Sequence, residues 1–170
     1  SVSDESLLGL LDWSAEESRR IAHFADQGAR TSWCLSRWLL SDAVYALTSI
    51  PDAHRRLGYK EFGKPFMSGN DLRFNWSHAE GCVALALARG IEVGIDVEGV
   101  ERSNRDYLEI AADLFKENER AWIGSRPGRE SWERFLSLFV QKEAWLKATG
   151  RGLSLPLSEA HIFLVFVVKD

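Results

Sequence analysis

The chain is short of several things that would point elsewhere. It has only two cysteines, Cys34 and Cys82, in 170 residues. Both stand in apolar runs, so they read as buried, reduced thiols rather than a disulfide framework, which favours a cytoplasmic setting. A basic excess is missing too: the formal net charge is -4, which argues against non-specific nucleic-acid binding. No apolar run is long enough to span a bilayer, and the opening residues do not form a signal peptide. The Gly-rich P-loop and the G-x-G-x-x-G turn are absent, so neither standard nucleotide cradle is present. There is no G-x-S-x-G elbow. The histidines His23, His54 and His161 are scattered and lack zinc spacing.

What is plentiful is core material. Seven Trp and nine Phe, within a 45% hydrophobic chain, suffice for one good core or for two small subdomains sharing one. Ser14, followed by Glu16 and Glu17, predicts a helix start running to about Ala25. An apolar-periodic stretch predicts a second helix from Arg30 to about Leu47, stopped by Pro51. Residues 58–71 read as loop and turns. Three strands are predicted at Leu72–Ser77, Cys82–Arg89 and Glu92–Glu98, with Arg89-Gly90 as a hairpin turn between the last two. Helices follow near Arg105–Phe115 and Lys116–Ile123, then the strongest one over 130–149 with Gly150 as its stop. A last strand is expected at Ala160–Val168. The order of helices, strands, helices and strand predicts an α+β protein of two pseudo-duplicated subdomains, each a small antiparallel sheet packed by helices.

The chemistry concentrates in two places. Asp96 and Glu98 lie at i and i+2 of a strand-like run, so both carboxylates face one side, where they repel unless a cation joins them. Glu143 and Lys147 lie at i and i+4 of a helix and share a face. If strand and helix meet, three carboxylates converge beside one ammonium. Such oxygen ligands suit Mg²⁺, and Mn²⁺ equally, together with waters and substrate phosphates. The plain alternatives are a solvated strand face and a surface i, i+4 pair worth about 0.2–0.5 kcal/mol. Ser77 and His78 close a strand, where both can donate to phosphate oxygens, or where His78 simply satisfies a turn. Lys64 sits in the Gly63-Lys64-Pro65 bend and could reach an anion, and Arg30 could meet another phosphate.

Together these motifs resemble the 4'-phosphopantetheinyl transferases, in particular the larger class typified by the activating enzymes of surfactin and other peptide synthetases. The resemblance is carried, in order, by Gly63-Lys64-Pro65, Phe74-Asn75-Trp76-Ser77-His78, Gly94-Ile95-Asp96-Val97-Glu98, and Lys142-Glu143-Ala144-Trp145-Leu146-Lys147 before Gly150-Arg151-Gly152-Leu153. It covers roughly residues 14 to 160. It implies transfer of phosphopantetheine from coenzyme A to a serine of an apo acyl- or peptidyl-carrier protein, Mg²⁺-dependent, with release of adenosine 3',5'-bisphosphate. Asp96, Glu98 and Glu143 would be the metal ligands and Lys147 a catalytic cation. Arg30, Lys64, Pro65, Ser77 and His78 would contact coenzyme A. The Phe-x-x-x-Glu pattern of Phe115 to Glu119 nominates Glu119 as the base for the serine proton, with Glu117 as its neighbour if the register slips.

An N-terminal half, 1–95, and a C-terminal half, 96–170, would then hold the site between them, as a monomer built like a dimer. Arg102, Arg105, Lys116, Arg120, Arg126, Arg129 and Arg134 would form a basic patch for an acidic carrier, or else solvated helix faces. Phe139 stands where the family often has Trp, and Ala79 where Ser often follows the His. The family usually has a segment before the first helix and further strands after Pro156-Leu157, whereas this chain runs from Ser1 to Asp170. The rival readings are another Mg²⁺-dependent phosphodiester enzyme, such as a nuclease, and a non-catalytic coenzyme-A- or carrier-binding module.

Overall fold

A computed structural model describes residues 4–79, 81–101 and 106–160. The expected strand at Ala160–Val168, His161, Arg102 and Arg105 lie, Ala160 apart, outside these residues. Helices and two small antiparallel sheets make up the fold. Helix α1 spans Asp4–Leu8, α2 Ala15–Ala22 and α3 Gln27–Thr48. Strands β1 (Leu57–Tyr59) and β2 (Pro65–Met67) form one hairpin, and β3 (Leu72–Ala79) and β4 (Cys82–Arg89) the other. Helices α4 (Tyr107–Leu114), α5 (Glu117–Gly124) and α6 (Arg129–Thr149) follow.

The helix boundaries have local causes. Ser14 Oγ accepts from the Glu17 N–H at 3.2 Å, and the Ser14 N–H donates to the Glu17 carboxylate at 2.9 Å, a reciprocal cap that starts α2. Asp26 caps α3 by accepting from the Ala29 N–H. This helix ends at Thr48, where Ser49 turns left-handed (φ 59°), before Pro51 can act. The first predicted helix stops at Ala22, three residues early.

Two strand expectations need correction. Residues 58–71 are not simply loop: Leu57 pairs with Met67 and Tyr59 with Pro65, and the Lys60–Lys64 turn between them is closed by the Lys60 N–H on the Lys64 carbonyl at 2.9 Å. Conversely, among the described residues Glu92–Glu98 carries no backbone ladder. Arg89-Gly90 therefore turns out of the β3–β4 hairpin rather than into a new one; the Gly90 N–H returns to the Asp71 carbonyl at 2.8 Å. Cys82 also differs from expectation. Cys34 is buried, but Cys82, beside the β3–β4 turn, is exposed; both are free thiols.

The core gathers in clusters. Leu40 and Val44 of α3 pack on Met67, Leu72 and Phe74, with Ala53 completing the group. Tyr107, Phe115, Ile123, Trp132, Phe135 and Leu138 join α4, α5 and α6 through a run of ring contacts at 5.4–5.6 Å. Leu7, Ile21 and Cys34 hold the first three helices together.

Candidate active site

Strand β3 alternates as a strand should, and each face has a task. Leu72 and Phe74 enter the core under α3. Arg73, Asn75 and Ser77 point the other way, onto the segment 92–98. The Arg73 Nε approaches the Glu92 carboxylate at 3.6 Å. Asn75 Oδ1 accepts from the Ile95 N–H at 3.1 Å. Ser77 Oγ donates to Asp96 Oδ1 at 2.9 Å. Among the described residues, the segment is held by these side chains.

Its other side lies against α6. A Cβ placed on Gly94 would fall 1.9 Å from the Ala144 carbonyl oxygen and 2.5 Å from the Ala148 nitrogen. No side chain fits there, so the glycine of Gly-x-Asp-x-Glu is what lets the segment touch the helix backbone. Close approach there brings Asp96 and Glu98 beside Glu143 and Lys147.

The result is a cavity of about 390 Å³ lined by Trp76, Ser77, His78, Asp96, Glu98, Phe139, Glu143 and Lys147. From α6 it takes Phe139, Glu143 and Lys147, one stripe at four-residue spacing. The core takes another stripe, with Trp132, Phe135, Leu138, Lys142 and Leu146 buried. The i, i+2 and i, i+4 arguments both hold: Asp96 with Glu98, and Glu143 with Lys147, share this cavity.

Charge within it is unbalanced. The Lys147 ammonium bonds Asp96 Oδ1 at 2.5 Å and Ser77 Oγ at 2.9 Å. The Asp96 side chain is only 5% exposed, and its Oδ2 is buried without a hydrogen-bond partner among the described residues. Burial, then the Asp96 charge, pushes the Glu98 carboxyl above its ordinary range, with Lys147 opposing. Glu143 is raised by the same causes in the same order, Glu98 adding to them at the end. Among the described residues no three His, Cys, Asp or Glu side chains are drawn close enough to be a ready cation cage. The donor set nonetheless fits a hard divalent cation: an orphaned buried carboxylate oxygen faces two carboxylates that resist ionisation without more positive charge.

Other predicted residues lie elsewhere. Lys64 is buried; its Nζ donates to Glu92 Oε2 at 2.5 Å, to the Val93 carbonyl at 3.2 Å and to the Ala148 carbonyl at 2.6 Å. Pro65 begins β2 and lines a separate cavity of about 250 Å³ with Lys60, Lys64, Arg73 and Glu92. Arg30, in the first turn of α3, lines an apolar hollow with Leu7, Leu8 and Ile21. His78 is exposed and also borders a groove of about 730 Å³ that reaches Asp26–Ala29 at the start of α3.

Glu119 is not among the residues lining the 390 Å³ cavity. It accepts from the Lys116 N–H at 2.9 Å, and it pairs at 2.8 Å with Lys142, whose side chain is 0% exposed. Lys142 also donates to the Leu157 carbonyl at 3.0 Å. In the expected basic patch, Arg126 and Arg134 meet Glu130, and Arg129 meets Glu133.

Sequence reasoning gave no role to Asn75, Trp76 or Glu92, and it read Lys142 as part of a solvated face, whereas Lys142 is fully buried. The signal for Asn75 was its spacing of two from Ser77 on one strand face. For Lys142, it was a charge on the apolar stripe of α6.

Comparison with known proteins bears on the same residues. The family model described as the 4'-phosphopantetheinyl transferase superfamily matches residues 92–166. The chain is 31% identical over 128 residues to the 4'-phosphopantetheinyl transferase gsp of Aneurinibacillus migulanus, covering 75% of this chain and 52% of that protein. It is 35% identical over 128 residues to the 4'-phosphopantetheinyl transferase AcpT of Salmonella typhi, covering 74% and 62%. It is 30% identical over 150 residues to the 4'-phosphopantetheinyl transferase Sfp of Bacillus subtilis strain 168, covering 88% and 64%. The chain thus spans between half and two thirds of these relatives' length. Its motifs, the cavity they build and these matches agree in what the chain is similar to: the 4'-phosphopantetheinyl transferase superfamily.

Proposed function

We propose that this chain transfers the phosphopantetheine of coenzyme A to a serine of an apo acyl- or peptidyl-carrier protein, as a holo-acyl-carrier-protein synthase of the larger class. The observation that carries the reading is the 390 Å³ cavity, where Asp96, Glu98 and Glu143 meet Lys147, Ser77 and His78. A pyrophosphate concentrates negative charge, and attack on its phosphorus requires that charge to be neutralised. Asp96, Glu98 and Glu143 would hold Mg²⁺, or Mn²⁺, which when bound neutralises the pyrophosphate oxygens and orients them for in-line attack.

The protein's own groups do the rest. Lys147 stabilises the phosphate under attack, from an ammonium already tethered by Asp96 and Ser77. Ser77 and His78 offer donors to phosphate oxygens at the end of β3. The serine oxygen forms a bond to the pantetheine phosphorus as the bond to adenosine 3',5'-bisphosphate breaks. For the serine proton, the geometry favours a carboxylate of the cavity over Glu119. Glu143 lines the cavity with its carboxyl pushed upward, whereas Glu119 is held by the buried Lys142. The working unit would be one cytoplasmic chain, with residues 1–95 supplying Trp76, Ser77 and His78 and residues 96–170 supplying the acids and Lys147.

The test is mass spectrometry of apo carrier proteins incubated with this chain, coenzyme A and Mg²⁺. A gain of one phosphopantetheine per carrier, lost with EDTA and with Glu143→Ala, is the expected result. Binding of coenzyme A with no gain on fatty-acid, polyketide or peptide-synthetase carriers would replace the reading with a non-catalytic module. Cleavage of DNA independent of coenzyme A would replace it with a phosphodiester enzyme.

A further inference from the structure

We propose that Lys64 and Glu92 form a positioning hub that sets the place of the acid-bearing segment 93–98 against α6. The family resemblance instead makes Lys64 a contact for coenzyme A. The inference rests on the reading of Asp96, Glu98 and Glu143 as a cation site, but its own evidence lies outside that cavity.

An ammonium has three N–H donors. Those of Lys64 have three protein acceptors within reach: the Glu92 carboxylate, the Val93 carbonyl and the Ala148 carbonyl. The side chain is 5% exposed. Its stem passes beneath the helix stop, where a Cβ on Gly150 (φ 70°) would come within 3.1 Å of Lys64 Cδ. One ammonium therefore ties three separate elements together: the β1–β2 turn, the start of the acid-bearing segment and the last turn of α6. Lys147 lies in that last turn.

Glu92 is the second half of the hub. It receives Lys60 at 2.8 Å and Lys64 at 2.5 Å, with Arg73 at 3.6 Å from β3. Burial opposes its charge, yet the hydrogen bonds of Lys60 and Lys64 bring its carboxyl down to about 2. It is thus ionised wherever the protein is folded at ordinary pH. Three residues on, the Ile95 N–H is held by Asn75, and then Asp96 by Ser77. The segment is pinned at both ends before Asp96 and Glu98 meet the cavity.

The two roles for Lys64 predict opposite results when Glu92 is changed. The experiment compares the full chain with Glu92→Gln and Lys64→Met, by hydrogen exchange at residues 93–98, by Mn²⁺ titration without coenzyme A, and by KM and kcat. Residues 132–138 of the α6 core serve as the exchange control. A charge-assisted hydrogen bond contributes enough for about a tenfold effect or more. The hub therefore predicts about tenfold faster exchange at 93–98 in both variants, an unchanged control and weaker Mn²⁺ binding. It also predicts a fall in kcat with KM for coenzyme A unchanged within about twofold.

A phosphate contact predicts the reverse: unchanged exchange and Mn²⁺ affinity, a raised KM in Lys64→Met, and a lowered KM in Glu92→Gln as two lysines are released. That pattern would overturn the hub. Should Lys64→Met fail to fold, Glu92→Gln decides alone, since the Glu92 side chain is 41% exposed. If the wild-type chain binds no Mn²⁺, the cation-site reading falls, and exchange at 93–98 still decides for or against the hub.

Discussion

Two lysines on α6, five residues apart, meet carboxylates in opposite circumstances. Lys142 is wholly buried against Glu119, with the Leu157 carbonyl and the Phe115 ring completing its surroundings. Lys147 is 30% exposed and meets Asp96 in a cavity beside two further acids. Five residues turn a helix through about 500°, so the two side chains leave on widely separated faces. The first pair is closed: both members have partners, and Lys142 is sealed from water. The second is open, because Asp96 keeps an unpartnered oxygen. A closed pair joins α5, α6 and the turn at Leu157 into one body. An open pair has capacity left for a ligand.

The comparison can be broken most sharply at Lys142. Removing one member of a buried pair typically costs about 3–5 kcal/mol. Lys142→Met should therefore lower stability to denaturant by about that amount, whereas Lys147→Met, at a side chain that is 30% exposed, should cost less stability and abolish most carrier modification, by about 10²–10³-fold. Equal losses of stability in the two variants would show that both pairs are structural.

Gly94→Ala tests whether the open pair depends on the close approach of its segment. The added carbon meets backbone, which cannot rotate away, so a loss of about 1–3 kcal/mol is expected, together with loss of the cation site. A variant with full activity would mean that the segment sits farther from α6.

The smallest expected effect is a pH dependence. Glu98 and Glu143 have carboxyls raised in the folded chain. A raised carboxyl binds its proton more tightly when folded than when unfolded, so ionisation destabilises the fold. Without divalent cation, these two groups favour the fold below the ordinary carboxylate pKa. That contribution is lost as pH rises from there through the raised values. Mg²⁺ should restore it, so the rise in Tm on adding Mg²⁺ should be larger at pH 7 than at pH 5. A rise that is equal at both pH values, measured by differential scanning fluorimetry, would exclude these acids as the ligands.

Where periodicity governs a side chain, the sequence was readable. The pair Glu143 and Lys147, and the pair Asp96 and Glu98, were placed by spacing, and they line one cavity, where Phe139 joins them. Strands β3 and β4 were legible from their apolar runs and turn. Features that depend on distant partners were not legible. The segment 92–98 has strand chemistry, but among the described residues it is Asn75 and Ser77, distant in sequence, that hold it. Glu119 fits a sequence pattern for a base, yet its environment is set by a lysine 23 residues later in the chain. The buried position of Lys64 depends on a carbonyl 84 residues away.

That last contact also bears on how the chain folds. The last four carbonyls of a helix have no partner within it. At α6 the Gly150 N–H approaches two of them, those of Leu146 and Lys147. The Ala148 carbonyl waits for Lys64, 84 residues earlier in the chain. Closing so long a loop is slow relative to forming local helix. The body of α6 can therefore form early, while its final turn is completed only when the β1–β2 hairpin docks. Lys147 belongs to that turn, so the proposed site is among the last parts of the molecule to be assembled.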